Sequence, residues 1–288
     1  KTVTVTGADD DVADDNQTST LTLSSSSSDS YYNGLSDNVT VVTTDNDTVG
    51  LVLSGTNATV SENGTTSTFT VRLNSAPTAN VTLSLSDNDT TEVLASPTTL
   101  TFSSGNWSTS QVITLTGVDD NVSDGSQSTL LTLTPSSSGD SKYNSSSLAQ
   151  SLTTVTTDND TVGLVLSKTT ATLSESGTTD NFSVVLTSEP TANVTLTLSD
   201  NDSTEVTASP TSLSFSSGNW SVAQWVSLTG KDDNASDDNQ TVLLTLTPSS
   251  GDSKYNSSSL AQTLTVTTID DDAPYVAITS GHCDCLLY

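Results

Sequence analysis

The residues of this chain best placed to do chemistry are carboxylates that recur in turns. Asp119, Asp120 and Asp124 form an acidic loop that returns as Asp232, Asp233 and Asp237, and that occurs earlier as Asp9, Asp10 and Asp14. Shorter acidic turns hold Asp45 with Asp47, Asp158 with Asp160, and Asp270 with Asp272. Ca2+ takes six to eight oxygen ligands, and carboxylates from two loops at one end of a fold can supply them. An EF-hand loop does not fit. Asp119, Asn121 and Ser123 have its spacing, but its sixth position is Asp124 where Gly is needed, and its twelfth is Leu130. The competing reading is that Asp and Asn make turns by bonding their own backbone.

Asparagine carries a second signal. Of 20 Asn, 18 begin an N-x-S/T triplet: Asn16, Asn38, Asn46, Asn57, Asn63, Asn80, Asn88, Asn106, Asn121, Asn144, Asn159, Asn181, Asn193, Asn201, Asn219, Asn234, Asn239 and Asn256. That exceeds what a Ser- and Thr-rich chain gives by chance. The triplet is the acceptor for N-linked glycans and needs an exposed site in an exported chain. Plain Asn-Ser-Thr usage in turns is the alternative.

The tail holds the chemistry that is not repeated. His282, Cys283 and Cys285 are too few for a closed zinc site, which takes four ligands. In an oxidising compartment Cys283 and Cys285 can form an interchain disulfide; an unordered free tail is the plainer reading. Catalysis has little support. The single His lies in that tail, so no Ser-His-Asp triad can form elsewhere. Glu62 and Glu175, and Glu92 and Glu205, are repeated carboxylates that in principle cleave glycosides. Duplication on a repeated scaffold favours structure over chemistry, so the chain is expected not to be an enzyme.

What positions these residues is a repeat. TTDNDTVGLVLS at residues 43–54 returns unchanged at 156–167, 113 positions on, and a worn copy occupies 267–280. Fixed-period self-similarity of this kind marks tandem modules. The expected organisation is the second half of a module at 1–47, full modules at 48–160 and 161–272, and a tail at 273–288 resembling a first strand. Inside a module the period is two. Phe69, Val71 and Leu73 alternate with polar residues, as do Val81, Leu83 and Leu85, and Ile113 and Leu115. Successive strand side chains point to opposite faces, so these runs predict sheets with one dry and one wet face. Thr suits the wet face because its branched Cβ fits the pleat. Seven or so short strands in about 113 residues, with Gly, Asn, Asp, Ser and Pro between them, predict an all-β, immunoglobulin-like antiparallel β-sandwich. The prediction places Val184, Leu186, Val226 and Leu228 inside with the residues above. Trp107 and Trp220, in identical SGNWS contexts, read as packing residues.

Net charge is −28, from six Lys plus Arg against 34 Asp plus Glu. Nucleic acid and anionic membranes are polyanions and are excluded as partners. No segment has the length and apolarity of a membrane-spanning helix, and no signal peptide is visible. Lys1 at the start is expected to mark a processed product or a piece of something longer. The two Cys are no framework for the modules, which must hold by packing.

The series DNDTVGLVLS, SENGTTSTFTVRL, SPTTLTFSSGNW and VITLTGVDDNVSDG resembles the Calx-β-like repeats of large bacterial surface proteins. The resemblance spans almost the whole chain up to Ser280. It implies tandem immunoglobulin-like sandwiches outside the cell, with Ca2+ at the module ends. The chain departs from that pattern after Asp119 and Asp120, where the family carries glutamates and this sequence has Ser and Thr.

These readings lead to a non-enzymatic, extracellular structural repeat forming a rod, stalk or filament of a cell-surface assembly. Its expected partners are copies of itself or neighbouring modules, joined head to tail by strand addition. Residues 1–47 are expected to give about three strands with an unpaired edge. The alternative is a Ca2+-dependent adhesion module for glycans or proteins. Such a module should show one deviant repeat with exposed aromatics, and comparison of the repeats reveals none.

Overall fold

A computed structural model describes residues 1–233 and 235–272. His282, Cys283, Cys285, the sequon at Asn234 and the strand expected over 274–280 lie outside the described residues. The chain divides into two units, the first comprising residues 1–120 and 125–159 and the second residues 121–124 and 160 onward.

Unit 1 begins with a hairpin of β1 (Gln17–Ser24) and β2 (Ser36–Thr43), paired antiparallel from Gln17↔Thr43 to Ser24↔Ser36. It continues with β3 (Leu51–Leu53), β4 (Asn57–Ser61), β5 (Thr66–Leu73), β6 (Val81–Asp87), β7 (Val93–Ser96), β8 (Thr99–Phe102), β9 (Gln111–Gly117), β10 (Gln127–Ser136) and β11 (Gln150–Thr157). These nine strands form two sheets, ordered β4-β11-β10-β6-β8 and β3-β5-β9-β7. All neighbours are antiparallel except β4 and β11, which run parallel. The chain leaves the four-stranded sheet after β3 and enters the other one at β4, which lies beside the last strand, β11.

Unit 2 repeats the plan with β12 (Leu164–Leu166), β13 (Thr170–Ser174), β14 (Thr179–Leu186), β15 (Val194–Asp200), β16 (Val206–Ser209), β17 (Ser212–Phe215), β18 (Gln224–Gly230), β19 (Gln240–Ser250) and β20 (Gln262–Ile269). Its sheets are β13-β20-β19-β15-β17 and β12-β14-β18-β16. Helix among the described residues is limited to two three-residue 3-10 turns.

The alternation puts the expected residues inside. Phe69, Val71, Leu73, Ile113 and Leu115 are buried in unit 1, and Val184, Leu186, Val226 and Leu228 in unit 2. Trp107 and Trp220 are partly buried against their respective cores. Each core also holds a tyrosine with its hydroxyl satisfied. Tyr143 Oη donates to the Ser75 carbonyl at 2.9 Å, and Tyr255 Oη to that of Ser188 at 2.7 Å.

Two expectations need correction. Residues 1–47 form two strands, not three. The stretch 3–6 has no ladder, because the strands that hold its counterpart β9, namely β5 and β7, have no equivalent within residues 1–47. The expectation that no repeat deviates by an exposed aromatic also fails. Trp225, where unit 1 has Val112, is 61 % exposed on an outward position of β18.

One difference between the cores is directly testable. Thr129 and Thr154 face each other across β10 and β11, are fully buried, and have no hydrogen-bond partner for either hydroxyl among the described residues. The same register in unit 2 pairs Val242 with Val266. A buried hydroxyl without a partner is costly, whereas an apolar isostere is not. Thr129→Val with Thr154→Val is therefore expected to stabilise unit 1 by about 1–3 kcal/mol, measured as a raised denaturation midpoint at unchanged slope.

Candidate metal centre

Every module closes its acidic loop in the same way. The backbone N–H of a residue with positive φ donates to the junction aspartate: Asp15 to Asp45 Oδ2 at 2.7 Å, Gly125 to Asp158 Oδ2 at 2.6 Å, and Asp238 to Asp270 Oδ2 at 3.0 Å. The φ values are 66°, 84° and 65°. Asp tolerates this region better than most residues, which explains how it stands where the middle copy has Gly. The other oxygen of Asp45 accepts from Asp47 N at 2.8 Å, as that of Asp270 does from Asp272 N at the same distance. Asp45 is accordingly held below its ordinary pKa, chiefly by the Asp47 amide. Asp45 and Asp270 thus form turns on both carboxylate oxygens, and Asp158 on at least one.

The remaining acids converge. In unit 2, Glu175, Asp233 and Asp272 each bring a carboxylate oxygen within 4.8 Å of the others, and so do Glu205, Asp233 and Asp237. Two oxygens on opposite sides of one Ca2+, at 2.3–2.6 Å each, stand about 4.6–5.2 Å apart, so both spacings suit a single ion. Glu175 is 1 % exposed and Glu205 3 %. Among the described residues, no amide or hydroxyl donor reaches either oxygen of Glu175 or Oε2 of Glu205. Burial, then repulsion from Glu205, Asp270, Asp233 and Asp237, pushes the Glu175 pKa up to about 7. Glu205 moves up as well, first from burial and then from Asp237, Asp233 and Asp202, with a hydrogen bond to Glu175 opposing. Asp272 is raised by desolvation and by Asp232, Asp270, Asp271 and Asp233.

Unit 1 builds the equivalent place on Glu62, fully buried, which has an oxygen within 4.8 Å of one on Asp158 and accepts from Asn159 N at 3.3 Å. Glu92 is the counterpart of Glu205 and is 6 % exposed.

Of the twelve aspartates expected at cation sites, Asp158, Asp233, Asp237 and Asp272 thus meet glutamates. Asp119 is exposed and accepts from Asn159 Nδ2 at 3.2 Å, and Asp160 accepts through its carbonyl from Ser123 Oγ at 3.1 Å. Asp120 is half-buried; Asp124 and Asp232 are exposed. Asp47 is raised by desolvation and by Asp45, Asp11, Asp9 and Asp10. No three carboxylates of residues 1–47 converge in this way among the described residues, since that stretch has no counterpart of Glu62 or Glu92.

Those glutamates are what sequence reasoning missed. Four of the chain's five Glu are the two repeated pairs, a signal that was visible. Their sequence pattern allows glycoside cleavage, whereas the fold places Glu62, Glu175 and Glu205 beside acidic-loop carboxylates, where they could hold a metal ion.

The Calx-beta domain profile matches residues 44–161 and again 157–272. The chain belongs to the Calx-beta domain family. Solved structures similar to it include CBD12 from CALX1.2, 16 % identical over 69 % of this chain and 80 % of that one, with a TM-score of 0.31. The calcium binding domain CBD12 of CALX1.1 is 17 % identical over 67 % and 79 %, with a TM-score of 0.33. The E. coli chaperone DraB is 9 % identical over 75 % and 98 %, with a TM-score of 0.31. Comparison with curated proteins gives no match. The Calx-beta fold is therefore present in two tandem copies, and the donor set described here, all oxygen and rich in carboxylate, suits a hard divalent cation.

None of the described sequon asparagines is buried. Asn106 and Asn219 use Oδ1 in turns, accepting from Ser103 N and Ser216 N at 2.6 Å, while Asn88 accepts from Leu130 N of β10, far along the chain, at 2.6 Å. Nδ2, the atom a glycan would join, donates to the Thr101 carbonyl in Asn106 and to the Ser214 carbonyl in Asn219, both at 3.4 Å.

Proposed function

We propose that this chain is a non-enzymatic structural repeat of an extracellular or cell-surface assembly whose Calx-beta sandwiches take up Ca2+ at their acidic loop ends. The observation that carries the reading is Glu175, a buried carboxylate without an amide or hydroxyl donor at the point where Asp233 and Asp272 meet. Burying a charge is expensive unless it is paired or bound to a metal. In unit 2 the ligands are Glu175, Asp233 and Asp272, with Glu205 and Asp237 next to them; Asp233 belongs to both groups and can bridge two ions. In unit 1, Glu62 and Asp158 supply the carboxylates, Asp158 being the counterpart of Asp270 and not of Asp272. When bound, the ion neutralises the crowded carboxylates and ties loops from different strands together.

A surface location suits an acidic, Ser- and Thr-rich chain with 18 sequon asparagines, none of the described ones buried. No helix among the described residues is long and apolar enough to cross a membrane. The partners this reading calls for are copies of the chain or neighbouring modules. The hairpin of β1 and β2, with Leu23 and Val42 exposed, offers an edge for strand addition.

Calorimetric titration of the chelator-stripped chain with CaCl2 tests the reading. Saturable binding is expected, weakened by about tenfold or more in Glu175→Gln, which removes one charged ligand, and unchanged in Asp29→Asn, which lies in the turn of the hairpin. Absence of binding would remove calcium from the account, and equal binding by Glu175→Gln would remove Glu175 from the site.

A further inference from the structure

The outer face of the four-stranded sheet in unit 2 bears no charge, like the outer faces of both five-stranded sheets, and differs from them in carrying an exposed aromatic ring. Its outward positions alternate with the buried ones along β12, β14, β16 and β18. None of them is Asp, Glu, Lys or Arg, although the chain as a whole has net charge −28. Asp180 has inward parity at the end of β14 and is paired with Lys168 at 2.7 Å. At the centre stands Trp225, 61 % exposed. It lies directly across from Ser183 in the β14–β18 register. Its diagonal neighbours on that strand are Asn181 and Val185, within reach of an aromatic ring. Val185 in turn faces Val165, 50 % exposed, across the β12–β14 ladder.

Unit 1 does not have this surface. The positions of Trp225, Val185 and Asn181 are held there by Val112, Arg72 and Thr68. Unit 2 has an aromatic ring and an amide, and lacks a charge, on a face where unit 1 has Val112, Thr68 and Arg72. Packing does not account for the change, because Trp225 projects away from the core.

We infer that this face, centred on Trp225, binds a neutral saccharide. An indole lying on a flat sheet offers an apolar platform for the C–H face of a sugar ring, and one polar N–H at its edge. The flanking Ser183, Asn181 and Ser227 supply hydroxyl and amide groups for sugar hydroxyls. A wholly apolar partner would desolvate these groups without bonding them, at a cost. A basic peptide would be drawn to the acidic loops instead of an uncharged face. An uncharged polyhydroxy ligand satisfies both the ring and its surroundings. This inference goes beyond the calcium reading and does not depend on it.

Affinity electrophoresis of the whole chain in native gels tests it, with a mixed-linkage β-glucan, a galactomannan and a dextran as probes, each run with CaCl2 and with EDTA. The chain is expected to be retarded by at least one probe in both conditions. Trp225→Ala should weaken that retardation by about tenfold or more, since aromatic anchors dominate such contacts, with an unchanged melting temperature because the ring is exposed. Val185→Arg, which restores the charge found in unit 1, should weaken it as well, and Val112→Ala should leave it intact. Mobility unaffected by all three polysaccharides would overturn the inference, as would equal retardation of Trp225→Ala. A change in sedimentation of Trp225→Ala without any loss of retardation would instead make the face a self-association surface. Loss of calcium binding with retained retardation would fail the calcium reading alone.

Discussion

Gly230→Ala is expected to destabilise unit 2 by about 3 kcal/mol or more, the upper end for forced overpacking. Gly230 ends β18, where its backbone passes so close to the end of β13 that an added Cβ would lie 2.2 Å from the Ser174 carbonyl oxygen and 2.9 Å from its carbon. The obstacle is backbone, so no side-chain rotation relieves it. Gly117 meets Ser61 in the same way in unit 1, at 2.1 Å from the carbonyl oxygen. In each unit the crowded residue immediately precedes the buried glutamate, Glu175 or Glu62, so the close approach of these two strands also sets where that carboxylate stands. Denaturant unfolding should show a lowered midpoint for Gly230→Ala. Gly218→Ala, whose Cβ would meet only the Ser216 hydroxyl at 3.9 Å, should be near neutral. Equal stability of the two variants would show that β13 and β18 can separate freely, contrary to this packing.

Much of the fold was legible because one rule, alternation with period two, governs nearly every strand. It placed Phe69, Val71, Ile113, Val184 and Leu228 inside, and all are buried. The parallel pairing of β4 with β11 was not legible, because pairing direction depends on how the chain crosses between sheets and leaves no trace in the alternation of a single strand. The metal centre was half legible. Aspartates in turns announce themselves by composition, yet composition does not separate Asp45 and Asp270, which spend both oxygens on backbone amides, from Asp233 and Asp272, which converge with Glu175. That sorting requires loops far apart in sequence to be brought together. Trp225 is a different case. The parity that put Val226 and Leu228 inside also puts Trp225 outside, so its exposure followed from the sequence; matching the repeats by their likeness concealed it.

Stability of unit 2 in EDTA is expected to fall as pH rises from 5 to 7, and Ca2+ is expected to reverse the loss. Glu175 has its pKa raised from 4.5 to about 7 in the folded chain. Between those values the folded state keeps a proton that the unfolded state has released. Unfolding then releases protons and becomes easier as pH rises, with the stabilising contribution complete below 4.5 and gone above 7. The upward shifts of Glu205 and Asp272 act in the same direction. Asp180, Asp202 and Asp252 are shifted down from 3.8, so their contribution is lost only in acid below that value and does not enter this window. Calcium needs its carboxylate ligands deprotonated, so its binding releases protons and strengthens over the same interval. At a hundredfold excess over its dissociation constant the ion should add about 2.7 kcal/mol. Thermal melts in CaCl2 and in EDTA should therefore lie close together at pH 5 and diverge by pH 8. Glu175→Gln cannot ionise, so it should flatten the EDTA profile and narrow the gap at pH 8. Melting curves that stay parallel across this range, with and without calcium, would show that Glu175 neither holds the extra proton nor meets the ion.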